Sequence, residues 1–362
     1  MPYLRPRKDE KRHEKLVKAV RVGDFHYGSL NLAGVTEDFL KYNKKIDEII
    51  AVDIADSTSN QYFLAFNRFS KFCVENNVTS LPSHPEVIMT YFNKIAHESQ
   101  SISSVFMARS AINYYNELHN PSIKSPTDHK DVCKCVDGLK RKFSKPVKKA
   151  EPMTKQILNN MVDKVLKGDH LKNCDFDVHL DRWQVVVKSI VKFHCFSRFE
   201  EVVDLKKSQF HFLENGDILV DFMKGKMNQF HEKNTNVIAA SGDFYCPVRI
   251  IKAYFNVINV DFVDYYFIPK IQDKQVHLLE KANYQYCLNQ LRDVLKEIGV
   301  VNWRDFGEHS DRHGGLSTAA EAGCSILQLQ TQGRMKSDKT PKMYYKKSLT
   351  TRRKVSAILN RS

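Results

Sequence analysis

The chain has 362 residues and a formal charge of +14, from 56 Lys and Arg against 42 Asp and Glu, which suggests two domains with tails and favours a polyanionic partner, nucleic acid above all. With 42% hydrophobic and 11% aromatic residues, the composition excludes disorder over most of the length. No apolar run approaches a membrane span and the N-terminus lacks a secretory apolar stretch, so the expectation is a soluble, intracellular protein without membrane contact.

Residues 1–45 read as a basic N-terminal arm, with eight basic and three acidic side chains between positions 4 and 21. Such a stretch suits a frayed helix, a phosphate-contacting arm or a nuclear-import signal. Residues 46–140 carry helical periodicity throughout, as four or five segments separated by Ser, Asn or Pro. In the second of these, Tyr62, Phe66, Phe69 and Cys73 recur at helical spacing, flanked by Phe63 and Phe72. That stripe reads as core and not as a base-stacking platform, because no strand carries it. Among the eight cysteines only Cys133 and Cys135 lie close, and no pairing has the spacing of a zinc site, so thiols in a reducing compartment are expected.

Residues 141–152 are expected to be a basic linker. From 139 to 152 the chain holds six basic residues, one acidic residue and two prolines, a composition that stops a helix and reads as extended. Lys140, Arg141, Lys142, Lys145, Lys148 and Lys149 are the candidate DNA-phosphate contacts of a clamp closing round a duplex; a solvated hinge accounts for the same residues. Residues 153–348 read as a mostly helical domain. Its only strand signals are Ser208–Phe212, Gly216–Met223 and Asn236–Ala240, a three-stranded antiparallel meander. Residues 349–362 form a basic C-terminal tail. The fold class expected is therefore mainly α, a helical domain followed by a mostly helical domain with a small sheet.

Four places in the second half carry residues suited to phosphoryl transfer. Arg198 ends a strongly apolar run, where water is scarce and a guanidinium needs an anion; Glu201, three residues on, either orients it or neutralises it. Lys224 and Lys226 sit on the turn after the second strand, where a lysine reaches a phosphate or protonates a leaving oxygen, although hairpin turns commonly carry solvated lysines. His309 and Arg312 are three apart in Glu308-His309-Ser310-Asp311-Arg312-His313-Gly314-Gly315, so on a helix they share a face as an oxyanion clamp; a satisfied His at a helix start is the plainer account. Thr340-Pro341 reads as an N-cap with Pro behind it, placing Tyr344 and Tyr345 in a short basic helix. A phenol among cations has its phenolate favoured and becomes a nucleophile, or else is a packing residue.

In this order and spacing the pieces resemble the tyrosine recombinases, the phage-type integrases, over roughly residues 50 to 350. The box His-Ser-Asp-Arg-His-Gly-Gly with Gly-Arg-Met-Lys-Ser-Asp is the most specific part, nearest in character to the recombinases of eukaryotic mobile elements. The resemblance implies a helical core-binding domain at 46–140 and a catalytic domain at 153–348. It implies that Arg198 and Arg312 grip the scissile phosphate, that Lys226, with Lys224 as alternative, protonates the departing 5′ oxygen, and that His309 serves as acid/base and phosphate donor. Glu201 matches the supporting acidic position. Tyr344, 32 residues after Arg312, is the implied nucleophile, and Tyr345 the alternative because Tyr-Tyr shifts the register by one.

One departure matters. Nine residues before Tyr344 the family places a His or Trp that donates to the phosphate, and Met335 stands there. A thioether donates no hydrogen bond, and losing such a donor costs about 10²-fold or more in rate; Arg334 and Lys336 are the nearby substitutes. Two Arg, one His and one Lys supply the charge stabilisation and the leaving-group proton, so no metal or other cofactor is expected. The implied partners are double-stranded DNA and further copies of the chain, a dimer on a site and a tetramer in synapsis. The implied function is site-specific recombination or integration of a mobile element through a 3′-phosphotyrosyl link, in the nucleus of a eukaryotic host. The alternative is a domesticated DNA-binding protein of the same fold.

Overall fold

A computed structural model describes residues 56–119, 124–145, 150–166, 176–223, 234–258, 263–347 and 353. The basic arm, the first expected helix, the tail after 353 and Lys148, Lys149, Lys224 and Lys226 lie outside the described residues. The chain divides into two compact units, 1–147 and 148–362. None of the described helices is long and apolar enough to cross a membrane.

In the first unit, α1 (Asp56–Glu75), α2 (Pro85–Ser99), α3 (Ile102–His119) and α4 (Lys130–Phe143) pack around one core. The aromatic stripe of α1 faces inward. Phe66 meets Tyr115 of α3 with centroids 4.3 Å apart, and Phe69 meets Tyr91 of α2 at 5.2 Å. Each fully buried aromatic of this kind stabilises by roughly 2–3 kcal/mol through apolar burial. Pro85 starts α2 behind His84, whose Nδ1 accepts from the Glu86 N–H, and a left-handed Gln100 ends the helix. The linker does not begin at 141. Helix α4 continues to Phe143 because Leu139 and Phe143 are buried in the core, so Lys140, Arg141 and Lys142 are exposed on its last turn and Lys145 is exposed just beyond.

The second unit is built round α6 (Phe176–His194), whose Val185, Val186, Val187, Ile190 and Val191 are all buried. It packs against α5 (Lys155–Leu166), α8 (Pro247–Ile258), α9 (Tyr284–Glu297) and α10 (Ser310–Glu321). A one-turn helix α7 (Phe199–Val203) leads into the sheet β1 (Phe210–Phe212), β2 (Ile218–Phe222), β3 (Asn234–Ile238), antiparallel in that order. Val220 pairs with Phe210 on one side and Asn236 on the other. Ile218, Val220 and Phe222 face the core, leaving His211, Asp221 and Thr235 hydrogen-bonded together on the other face.

The sheet is not the only one. Strands β4 (Pro269–Gln272) and β5 (Gln275–Lys281) form a second hairpin, closed by Asp273 and Lys274, both left-handed at φ 51° and 61°. Its turn residues are Asp-Lys where Asn-Gly or Asp-Gly would have announced a hairpin, and its first strand opens on Pro. Two short helices, α11 (Ile326–Gln332) and α12 (Lys339–Lys347), complete the unit. Thr340 is not the cap of α12, which starts one residue earlier, with the Lys339 N–H donating to Ser337 Oγ and Pro341 inside the first turn.

Candidate active site

Helix α6 stops at His194, and Phe196 turns the chain with a left-handed φ of 47°. Arg198 is therefore not the end of the apolar helix but the N-cap of α7, its side chain 30% exposed. Glu201, buried one turn on, accepts from the Arg198 backbone N–H at 2.9 Å and from its guanidinium at 2.8 Å. The same carboxylate takes a hydrogen bond from Arg334 at 2.9 Å. Burial works against the charge on Glu201, but Arg334 first and then the Arg198 backbone and side chain hold its carboxyl below the usual range.

Arg334 is the residue the sequence does not single out for structure. Held at φ 50°, it also donates to the Cys195 carbonyl at 3.2 Å, to Ser197 Oγ at 3.3 Å and to Asn236 of β3, and it lies 3.8 Å over the Phe222 ring. Its guanidinium is thus committed to binding α7, β3 and the α6 end together, and it does not replace the donor that Met335 lacks. Met335 itself is buried with Phe196, Leu316, Ala320 and Leu329, and its main chain is bonded to Gln330.

His309 is the N-cap of α10 in helical geometry, and Arg312 lies in the first turn, so the two share a face. A Cβ at Gly314 would stand 1.8 Å from the Met153 oxygen, and one at Gly315 would stand 2.1 Å from the Phe193 oxygen. These glycines let α10 lie directly on the 150–153 segment and on α6. Arg312 is buried and donates to the Phe196 carbonyl, and no carboxylate pairs with it among the described residues. Burial, Arg198 and Arg334 press its guanidinium down to about 10, against the pull of Glu201 and Tyr344. Burial, then Lys192, Arg312 and Arg198, hold His309 below the ordinary histidine range, which favours the neutral imidazole.

Tyr344 rests half-buried on α12 against the cluster round Met335, with its ring edge-on to His313 at 5.4 Å between centroids. Its phenolate is not favoured. Burial raises the phenol above its usual value and Arg312 offsets only part of this, because a cation beside a desolvated hydroxyl does not restore the lost water. Tyr345 is on the same helix, but its side chain lies outside the described residues.

Beneath this site is a charge cluster that the sequence analysis did not single out. Lys188 and Lys192 of α6 are 0–1% exposed, and Glu308 and Asp311 flank His309 on the facing segment at 0–1%. Glu308 binds Lys188 at 2.6 Å and Lys192 at 2.5 Å, and Lys192 pairs with Asp311 at 3.0 Å. Burial would raise the Glu308 carboxyl, yet the two lysines hold it down to about 2. The same acids hold Lys192 above the usual lysine range despite its burial, while burial raises Asp311. The available signal was a lysine pair four apart inside an apolar helix, facing acids that alternate with His309 and Arg312.

The structure thus brings Arg198, Glu201, His309, Arg312 and Tyr344 into one electrostatic neighbourhood. Among the described residues no group of three or more His, Cys, Asp or Glu is set to hold a metal ion. Excess positive charge beside a phenol suits an oxyanion whose charge grows during reaction.

No family model matches the sequence and no curated protein matches it. Solved structures do. The XerH site-specific recombinase bound to palindromic difH substrate, a post-cleavage complex, is similar at 13% identity and a TM-score of 0.57, covering 96% of this chain and 94% of that one. The Tn1549 transposon integrase in complex with transposon right end DNA is similar at 14% identity and 0.55, covering 88% and 98%. A lambda integrase dimer bound to a core site is similar at 11% identity and 0.53, covering 86% and 95%. The architecture of the described residues, mainly helical with a small three-stranded antiparallel sheet and the β4–β5 hairpin, is the tyrosine recombinase fold.

Proposed function

We propose that the chain cleaves and rejoins DNA strands through a 3′-phosphotyrosyl intermediate on Tyr344, in site-specific recombination or integration of a mobile element. The observation that carries this reading is Arg312, a buried guanidinium bonded to a backbone carbonyl and without a carboxylate partner among the described residues, beside Arg198 and a phenol. A buried cation left without its counter-ion is costly unless a ligand supplies one. A backbone phosphate is such a ligand, and the three similar structures named above were solved on DNA.

In this reading Arg198 and Arg312 bind the non-bridging oxygens, and the neutral His309 donates an N–H to the same group. Tyr344 attacks phosphorus in line, forming the Oη–P bond as the bond to the 5′ oxygen breaks. Lys226, or Lys224, protonates that leaving oxygen. The phosphotyrosyl link keeps the bond energy for religation. Lys140, Arg141, Lys142 and Lys145, exposed on the first unit, contact DNA phosphates, and Lys148 and Lys149 are assigned the same role. The chain works as a dimer on a site and a tetramer in synapsis, within a eukaryotic nucleus.

Met335 favours a second reading, a slow or domesticated enzyme that retains DNA binding, because no side-chain donor replaces the missing one among the contacts of Arg334. Nicked duplex substrates decide between the two. The first reading requires an SDS-stable protein–DNA adduct that disappears in Tyr344→Phe; salt-sensitive DNA binding without an adduct selects the second. An adduct that survives Tyr344→Phe and vanishes in Tyr345→Phe moves the nucleophile by one residue.

A further inference from the structure

His313 has no role in the reaction as set out above, yet its ring is in direct contact with that of Tyr344. Its Nδ1 lies 3.1 Å from the Ala150 carbonyl oxygen and its ring is edge-on to the phenol at 5.4 Å between centroids. A carbonyl only accepts, so Nδ1 carries a proton, and in the neutral ring Nε2 keeps its lone pair. Nε2 has no hydrogen-bond partner among the described residues, and neither has the Tyr344 hydroxyl.

The contact that sets this tautomer is built into the fold. Segment 150–153 is tied down by the Glu151 N–H on the Asp305 carbonyl at 3.0 Å and the Met153 N–H on the Ser310 carbonyl at 2.9 Å. Gly314, next to His313, admits the segment where any Cβ would collide with Met153. The Ala150 carbonyl therefore holds the imidazole as a carbonyl or carboxylate holds the orienting nitrogen of a metal-bound or catalytic histidine.

The phenol needs an acceptor for its proton. Apolar neighbours surround it on the Met335 side, and the nearby carboxylates face cations elsewhere: Glu201 on Arg198 and Arg334, Glu308 on Lys188 and Lys192, and the fully buried Asp311 on Lys192. His309 sits among Lys192, Arg312 and Arg198, the cations that would receive the phosphate. Among the described residues His313 alone joins an acceptor nitrogen without a partner to ring contact with Tyr344.

We propose that His313 is a catalytic residue of the strand cleavage put forward above, and the inference rests on that reading: its Nε2 takes the hydroxyl proton of Tyr344 as Oη attacks phosphorus. The Oη–H bond breaks towards Nε2, the Oη–P bond forms, and the 5′ oxygen departs with a proton from the turn lysine. Religation returns the first proton to Oη. Proton-transfer contacts of this kind tighten when substrate binds.

The test uses the full chain on nicked duplex DNA in single turnovers. His313→Asn keeps a donor for the Ala150 carbonyl and loses the basic nitrogen; adduct formation is expected to slow by about 10²-fold or more. Replacing Tyr344 with a ring-fluorinated tyrosine, a more acidic phenol, should recover much of the His313→Asn loss and none of the loss in Arg312→Lys. Added imidazole should restore His313→Ala in a saturable way, a readout that misfolding does not imitate. An asparagine variant as fast as the parent overturns the assignment, as does a loss that neither fluorination nor imidazole touches. If the parent itself forms no adduct, the strand-cleavage reading fails and the assignment falls with it, a result distinguishable from failure at His313 alone.

Discussion

Lys188 and Lys192 lie in α6 and Arg198 follows six residues after the second, yet the two stretches settle their charge differently. The lysines are closed off by Glu308 and Asp311, two cations with two acids, all at 0–1% exposure. Arg198 and Arg334 share the single carboxylate of Glu201, and Arg312 receives no ion pair at all among the described residues. Charge that is matched and dry serves to fix α10 on α6; charge left in surplus beside a phenol waits for an anion. The interleaved order Glu308, His309, Ser310, Asp311, Arg312 puts both behaviours on one segment, with Glu308 and Asp311 in the matched cluster and His309 and Arg312 on the surplus side.

The largest effect should come from unbalancing the matched cluster. Glu308→Gln strands two buried lysines with Asp311 as their remaining acid, and the loss expected in urea unfolding of the full chain is about 3–5 kcal/mol. Asp311→Asn should be milder, because burial already raises that carboxyl towards its neutral form. Acid gives the same contrast with a defined sign. Glu308 is held down to about 2 from the ordinary glutamate value of 4.5, so its contribution is present above 4.5 and is lost as pH falls towards 2. Asp311 runs the other way, gaining its proton with less cost folded than unfolded. A Glu308→Gln protein as stable as the parent at neutral pH would break the comparison at its base.

The surplus side predicts the opposite pattern. Arg312→Gln removes a guanidinium that its surroundings disfavour, so stability should change by about 1 kcal/mol or less, the worth of its bond to the Phe196 carbonyl. Adduct formation should fall by about 10²–10³-fold, as when an oxyanion donor is removed. Urea midpoints and single-turnover rates on the same preparations separate the two clusters. A variant that unfolds like Glu308→Gln would make Arg312 a scaffold residue.

How far the sequence discloses this depends on whether the signal is local. The stripe Tyr62, Phe66, Phe69, Cys73 marks the inward face of α1 unaided, and the strands round Val220 alternate as strands should. His309 and Arg312 share a face because three residues of helix bring them there. The hairpin closed by Asp273 and Lys274 is hidden because its turn lacks glycine, and the end of α4 is hidden because Phe143 is held by tertiary burial against a run of lysines that argues for a linker. Arg334 and the Lys188–Glu308 pair join positions 133 and 120 residues apart, a separation that spacing rules do not reach. The acidity of Tyr344 is hidden for a related reason: counting cations near it in sequence omits the desolvation by Phe196 and Leu316 that outweighs them.

Met335 offers a way to sharpen the surplus side. It lies in the apolar cluster beside Tyr344, close enough to Gly333 that a Cβ there would meet its Cε at 2.3 Å. Met335→His adds a donor of smaller reach and comparable volume, and adduct formation should rise by up to about 10²-fold, at a packing cost of roughly 1–3 kcal/mol. No change in rate would mean that the missing donor is supplied by another group or that this position does not face the phosphate.

A third population of cations is neither matched nor buried. Lys140, Arg141 and Lys142 are exposed on the last turn of α4, where Lys142 Nζ lies 3.1 Å from the His97 ring nitrogen. Their position at a helix C-terminus is favourable to the fold by a few tenths of a kcal/mol at most when solvated and screened. Under the proposed function their effect belongs instead to DNA affinity. If each neutralises one phosphate, its replacement by Gln should lessen the slope of log affinity against log salt by about 0.9, equally for any duplex sequence, while the urea midpoint stays where it was. Slopes unchanged in all three single variants would remove this face from the DNA path and leave the surplus guanidiniums of the second unit as the cations that meet phosphate.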